Sequence, residues 1–111
     1  MANRYTAGQG WGSAVLIETN NTGPALEPRI AFDGNGNATA VWSHRNAAAF
    51  TNDILANRWT PATGWGTPVP IDNAPDPARA PQLGIDDDGN VFVVWSQSDG
   101  TRTNIWANGF R

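Results

Sequence analysis

The sequence predicts an all-β fold built from two copies of a four-stranded antiparallel unit. Three observations carry that expectation. Twelve glycines and eight prolines in 111 residues demand frequent turns. The apolar residues fall in short runs with period-2 alternation, and no stretch shows a 3.6-residue period with good helix formers. The chain also repeats itself. "ANRYTAGQGWGSAVLIE" from Ala2 aligns with "ANRWTPATGWGTPVPID" from Ala56 at an offset of 54, and "PRIAFDGNGNATAVWSHR" from Pro28 aligns with "PQLGIDDDGNVFVVWSQS" from Pro81 at an offset of 53. "NDILANRW" then meets "TNIWANGF" at an offset of 51. The offset changes inside "TNNTGPALE" and "NAAAFTND", so loops absorb the length differences and strands keep theirs.

Each unit of roughly 50 residues contains four strand-like runs. The first covers residues 29–33 and is matched by 82–86. The second covers 38–44, matched by 91–97. "DGNGN" and "DDDGN" join these runs, and their Asp, Asn and Gly residues supply the φ > 0 that a tight hairpin needs. The third covers 53–60, matched by 104–111, and the fourth covers 13–18, matched by 67–72. The segment "NAAAF" at 46–50 is the one helix candidate and is too short to nucleate alone. In the second strand of the second unit, Val91, Val93 and Trp95 share one face while Phe92 and Val94 share the other. Both faces are apolar, so both must be covered.

Four antiparallel strands per ~40–50 residues, with Trp and Gly signatures, is the size of one β-propeller blade. Covering of both sheet faces also fits a blade, which has neighbours on each side. A β-sandwich, whose sheets keep one polar face, is the alternative. The expected organisation is a single two-repeat unit over 1–111. Repeat one lies at about 2–55, repeat two at about 56–106, and 107–111 starts a third copy of the phrase.

The repeated lines "P-x-I-A-x-D-x-x-G-N-A-x-A-V-W-S" and "A-N-R-W-x-x-x-x-G-W-G" resemble the tandem repeats of bacterial β-propellers of the sialidase-like and lectin-like group. The resemblance covers nearly the whole chain and speaks to architecture more than to function. In the turn 60–65, Trp65 follows Gly64 directly and no Asp is present, so the match to a sialidase Asp-box is degenerate. In plan the chain also resembles the small fucose-binding lectins, which carry two blades per chain and close a six-bladed ring as a trimer. Their sugar-binding motif has no counterpart here. Two blades cannot close a ring, since propellers need about 4 to 8. The resemblance therefore implies assembly with other copies of the chain, with a six-bladed trimer favoured.

Composition restricts the function. The net charge is −3, all seven basic residues are arginine, and no basic cluster exists to hold a phosphate backbone, so nucleic acid is excluded as an expected partner. With no cysteine, disulfides and thiolate metal sites are excluded. No apolar run approaches the ~18 residues of a helical membrane span, and no membrane partner is expected. No charged-then-apolar leader opens the chain. The Asp/Asn pattern of the hairpin loops resembles a calcium loop, but the distant Glu is missing and a hairpin needs the same residues, so no metal or other cofactor is expected.

Candidate ligand-binding residues come from the repeated phrase. Trp11 and Trp65, in the turn between third and fourth strands, are stacking candidates for the apolar face of a pyranose ring. Arg4 and Arg58, beside Asn3 and Asn57, offer planar donors for sugar hydroxyls. The structural alternative makes the arginines partners of Asp33 or Asp86 that fix the register between units. Trp42 and Trp95 read as core, and His44, matched by Gln97, has no repeated partner. Catalysis is not expected, because the lone tyrosine is Tyr5, the glutamates are only Glu18 and Glu27, and no nucleophile or phosphate-binding motif appears. Two functions remain: a self-assembling carbohydrate-binding module with sites between or at the rim of blades, and a purely structural assembly module, such as a segment of a surface repeat protein or an engineered piece cut in repeat phase. The phrase occurs three times while the other strands occur twice. In a closed ring 2–6 and 107–111 would compete for one strand position, and the C-terminal copy is expected to hold it because Ile105 and Trp106 extend it.

Overall fold

The computed structural model describes residues 1–19, 23–46, 51–72 and 76–110. Ten strands form in chain order: β1 (Tyr5–Thr6), β2 (Gly10–Trp11), β3 (Ala25–Phe32), β4 (Ala38–Asn46), β5 (Thr51–Thr60), β6 (Gly64–Trp65), β7 (Val69–Pro70), β8 (Ala78–Ile85), β9 (Val91–Ser98) and β10 (Thr103–Phe110). No described residue is helical, and residues 47–50 of the helix candidate lie outside the described set. The all-β expectation holds.

The strands form three units. β1 and β2 make an N-terminal hairpin, extended by a bridge between Ala2 and Val15. The central sheet runs β3-β4-β5-β6, with β7 also on β5, so β6 and β7 together are its broken fourth strand. The C-terminal sheet has three strands in the order β8-β9-β10. One complete four-stranded sheet is therefore present where two were expected. The other copy of the fourth strand, around Val15, pairs in the N-terminal hairpin instead of on β10. Both terminal copies of the repeated phrase are strand-paired in this chain. Tyr5 and Thr6 face Trp11 and Gly10, while Ala107 to Phe110 face Val94 to Val91.

The main differences from the sequence reading lie in the first and fourth strands. The first strands begin four residues early, at Ala25 and Ala78, and run through Pro28 and Pro81. A proline has no N–H for the ladder, so it reads as a strand start. Here each copy passes it on a bulge, between Leu26 and Arg29 and between Arg79 and Gln82. Glu27 and Ala80, directly before the prolines, take φ of 57° and 54°. A bulge with the same strained residue in both copies belongs to the repeat's design. The fourth strand is the other difference: Pro68 and Pro70 remove two donors, and only short pairings survive around them.

The core lies where the central sheet meets the C-terminal one. Val41, Ile54 and Ala56 pack against Ala78, Val91, Val93 and Trp95, with Leu83 and Ile85 at the margin. Alternation decides what each strand contributes. In β9, residues 91, 93, 95 and 97 are buried against the central sheet, while Phe92 and Val94 are exposed on the far side. β4 is buried along 38–44 because it is covered on both faces. Thr39, Val41 and Ser43 face the C-terminal sheet, and Ser43 Oγ donates to the Ala78 carbonyl at 2.9 Å.

The Asp loops are hairpins built alike. Asp33 Oδ1 accepts from the backbone of Asn35 and Asn37, and its Oδ2 accepts from Asn37 Nδ2. Asp86 does the same with Asp88, Asn90 and Asn90 Nδ2. Gly36 and Gly89 take the positive φ of 83° and 88° that closes each turn. Asp99 repeats the device between β9 and β10, accepting from Thr101, Arg102 and Asn104. These hydrogen bonds, that from the Asn side chain leading at Asp33 and Asp86 and those from the backbone at Asp99, hold the three carboxyls below the ordinary carboxylate value.

Candidate functional site

The phrase Ala-Asn-Arg-aromatic is the joint between successive units. Its asparagine acts first on its own strand: Asn3, Asn57 and Asn108 each accept from the backbone N–H of the next residue at 2.8 Å. The amide nitrogen then reaches across. Asn57 Nδ2 donates to the carbonyls of Gly66 and Ile17, each at 3.0 Å. Asn108 Nδ2 donates to the Ile71 carbonyl at 2.9 Å. Ile17 and Ile71 are equivalent positions in the repeat. One asparagine thus clips each sheet to the outer segment of the unit before it.

The arginine makes the reverse contact. The Arg4 guanidinium lies 4.5 Å from the ring centre of Trp59, and that of Arg58 lies 4.3 Å from the ring centre of Phe110. Each arginine covers the aromatic residue of the next unit, a contact of about 0.5–2 kcal/mol depending on its exposure to water. Arg58 also approaches Asp33 Oδ2 at 3.9 Å, the partner that the register reading expects. That carboxylate is already filled by its hairpin hydrogen bonds, so the ion pair is the weaker of its ties. The third copy has Gly109 at this position and can make neither contact.

Each joint leaves an open cleft beside it. The first has a volume of about 660 Å³ and lies between the N-terminal hairpin and the central sheet. It gathers Asn3, Arg4, Tyr5, Trp11, Trp59 and Trp65 on its walls, with Ile30 and Phe32 also lining it. Trp11 is 70% exposed, and Tyr5 meets it edge-on at 5.5 Å between ring centres. Trp65 is half-buried opposite Trp59 on the neighbouring strand. The second cleft, about 320 Å³, lies between the central and C-terminal sheets. Asn57 and Arg58 line it with Val69, Ile71, Val93 and Phe110.

Four of the six candidate residues, Asn3, Arg4, Trp11 and Trp65, therefore share one cleft, and Asn57 and Arg58 belong to the other. The two tryptophans sit in β2 and β6, on the strand that returns from the turn. The two clefts differ in how their polar groups are used. Asn57 spends both amide hydrogens inside the protein, whereas Asn3 Nδ2 donates to no described residue.

Sequence reasoning missed a buried polar chain. Trp95 Nε1 donates to Gln97 Oε1 at 2.9 Å, and Gln97 Nε2 donates to the Asp76 carbonyl at 2.7 Å and to Asp72 Oδ2 at 3.4 Å. Asp72 Oδ1 accepts from the Ile54 backbone. Partial burial raises the Asp72 carboxyl above its ordinary value, against these hydrogen bonds. In the central sheet the equivalent residues are Trp42 and His44. Both are buried, and Trp42 Nε1 and both His44 ring nitrogens have no partner among the described residues. The repeat keeps a buried tryptophan at this place, and the hydrogen bonds of the second copy have no counterpart among the described residues of the first.

Among the described residues no group of three or more His, Asp or Glu is arranged to hold a metal ion, and no helix is long and apolar enough to cross a membrane. No protein-family model, curated protein or solved structure matches the chain.

Proposed function

We propose that this chain is a non-enzymatic, self-assembling module of the β-propeller type that binds carbohydrate between its units. The supporting observation is the first cleft. It places the exposed face of Trp11 beside Tyr5 and Trp65, and sets Asn3 and Arg4 within the same 660 Å³ space. Pyranose rings present an apolar C–H face and an edge of hydroxyls. An aromatic wall meets the first and an amide with a guanidinium meets the second. Sites of this kind, mostly apolar with a few placed polar groups, are the usual form of a small-ligand pocket. Two blade-sized units call for further blades, and three chains in a six-bladed ring remain the arrangement we favour from the family resemblance.

A glycan array followed by titration calorimetry tests the reading. Trp11→Ala should abolish binding of any glycan found while leaving the fold intact. Binding that survives both Trp11→Ala and Trp65→Ala would refute the site.

A scaffold with no ligand is the second reading. What favours it is that Arg4, Arg58 and Asn57 all have contacts within the chain that need no ligand to explain them. An assembled protein that binds nothing on a broad array would select it.

A further inference from the structure

The chain contains one sheet-on-sheet junction in full, and residues equivalent to parts of its two halves are exposed at opposite ends of the chain. On the central sheet, the half that faces the C-terminal sheet is Thr39, Val41 and Ile54. Val41 and Ile54 are 0% exposed. Their repeat equivalents on the C-terminal sheet are Phe92, Val94 and Ile105, and these are 55%, 40% and 75% exposed. The other half of the junction includes Ala78, Leu83 and Ile85, with Ala78 fully buried and the two larger residues packed on the core. Their equivalents on the central sheet are Ala25, Ile30 and Phe32, all exposed, the last two at 52% and 58%.

From this we infer that the outer face of the C-terminal sheet, Phe92, Val94 and Ile105, docks on Ile30 and Phe32 of a second copy of the chain, repeating the internal junction between molecules. The inference rests on the propeller-type reading and extends it to a defined surface. Polar contacts carry over as well. The internal junction is tied by Ser43 Oγ on the Ala78 carbonyl and by Arg29 Nε on Gln82 Oε1 at 3.2 Å. In the intermolecular copy Ser96 would take the part of Ser43 and address the carbonyl of Ala25, and Gln82 would again meet Arg29 with the two roles exchanged. The surface is head-to-tail, so it closes a ring or propagates, depending on the angle per copy.

Two measurements test the docking. Light scattering behind size exclusion should give the full chain at micromolar concentration as a multiple of its monomer mass. A Phe92→Glu, Ile105→Glu double variant, altered only at exposed positions, should stay folded by circular dichroism and run as a monomer. A folded wild-type monomer would overturn the inference, and so would a double variant that assembles like wild type. For the register, Ala25→Cys and Ser96→Cys are made separately in this cysteine-free chain. Mixed and oxidised, they should give a covalent dimer that neither gives alone; assembly without that cross-link would refute this docking face. Neither measurement involves sugar. Assembly with no glycan bound would sink the carbohydrate reading alone, and a glycan-binding monomer would sink the docking alone.

Discussion

Replacing Asn57 by alanine should be among the costliest polar substitutions in the chain. The side chain is 3% exposed and makes three hydrogen bonds, from the Arg58 backbone and to the Gly66 and Ile17 carbonyls. Each bond contributes about 1 kcal/mol net, and leaving buried partners unpaired costs about 1–3 kcal/mol each. The expected loss is about 3 kcal/mol. Asn108→Ala removes the same motif at an exposed position, where water can replace the two bonds lost, and should cost about 1 kcal/mol or less. Urea unfolding at neutral pH, followed by tryptophan fluorescence, gives both numbers from the shift in midpoint at constant slope. Asn57→Asp should be no milder than alanine, because a carboxylate would face two carbonyl oxygens. Equal, small losses for Asn57→Ala and Asn108→Ala would refute the role of this residue as the clip between units.

The tryptophans should divide by burial. Trp95→Ala, in the core and bonded to Gln97, should cost about 3–5 kcal/mol in the same assay, and Trp11→Ala about 0.5 kcal/mol or less. Gly89→Ala should cost about 1–2 kcal/mol, because φ is +88° and the new Cβ would sit 3.1 Å from Asp33 Oδ2; an unchanged melting temperature would count against the loop geometry. The aspartates give opposite pH dependences. Asp33, Asp86 and Asp99 have lowered folded-state values, so their stabilisation is present above the ordinary carboxylate value and is lost as pH falls through the lowered one. Asp72 is raised, so its contribution is best below the ordinary value and is lost as pH rises through the raised one. Asp72→Asn should flatten the fall in urea midpoint just above about pH 4, while Asp86→Asn should reduce the loss on the acid side. A pH profile left unchanged by Asp72→Asn would contradict the burial of that carboxyl.

Much of this was legible in the residues. Period-2 alternation in 91–95, the Asp-Gly-Asn loops and the repeat offsets depend on local geometry, and local geometry is written locally. The same holds for Asp33 and Asp86, whose hydrogen-bond partners lie within four residues. The sequence alone therefore determined an all-β chain, its hairpins, and the second and third strands of each unit. Where it failed locally, at Pro28, at Pro81 and in the second copy of the fourth strand with its Pro68 and Pro70, the cause was proline. A missing donor says that a ladder bond is absent but not whether the chain bulges past it.

Only the tertiary structure decided what the repeated phrase is for. Asn57 and Ile17 are 40 residues apart, and Arg4 and Trp59 are 55 apart, so no spacing rule connects them. It likewise decided that Asn3, Arg4, Trp11 and Trp65 share one cleft while Asn57 and Arg58 line another. Which of two equivalent strand faces is covered is also a tertiary matter. Val41 and Val94 sit in the same local pattern, yet one is 0% and the other 40% exposed. A strand's sequence specifies that a face seeks an apolar neighbour, and only the packing of whole sheets specifies whether the same chain supplies it.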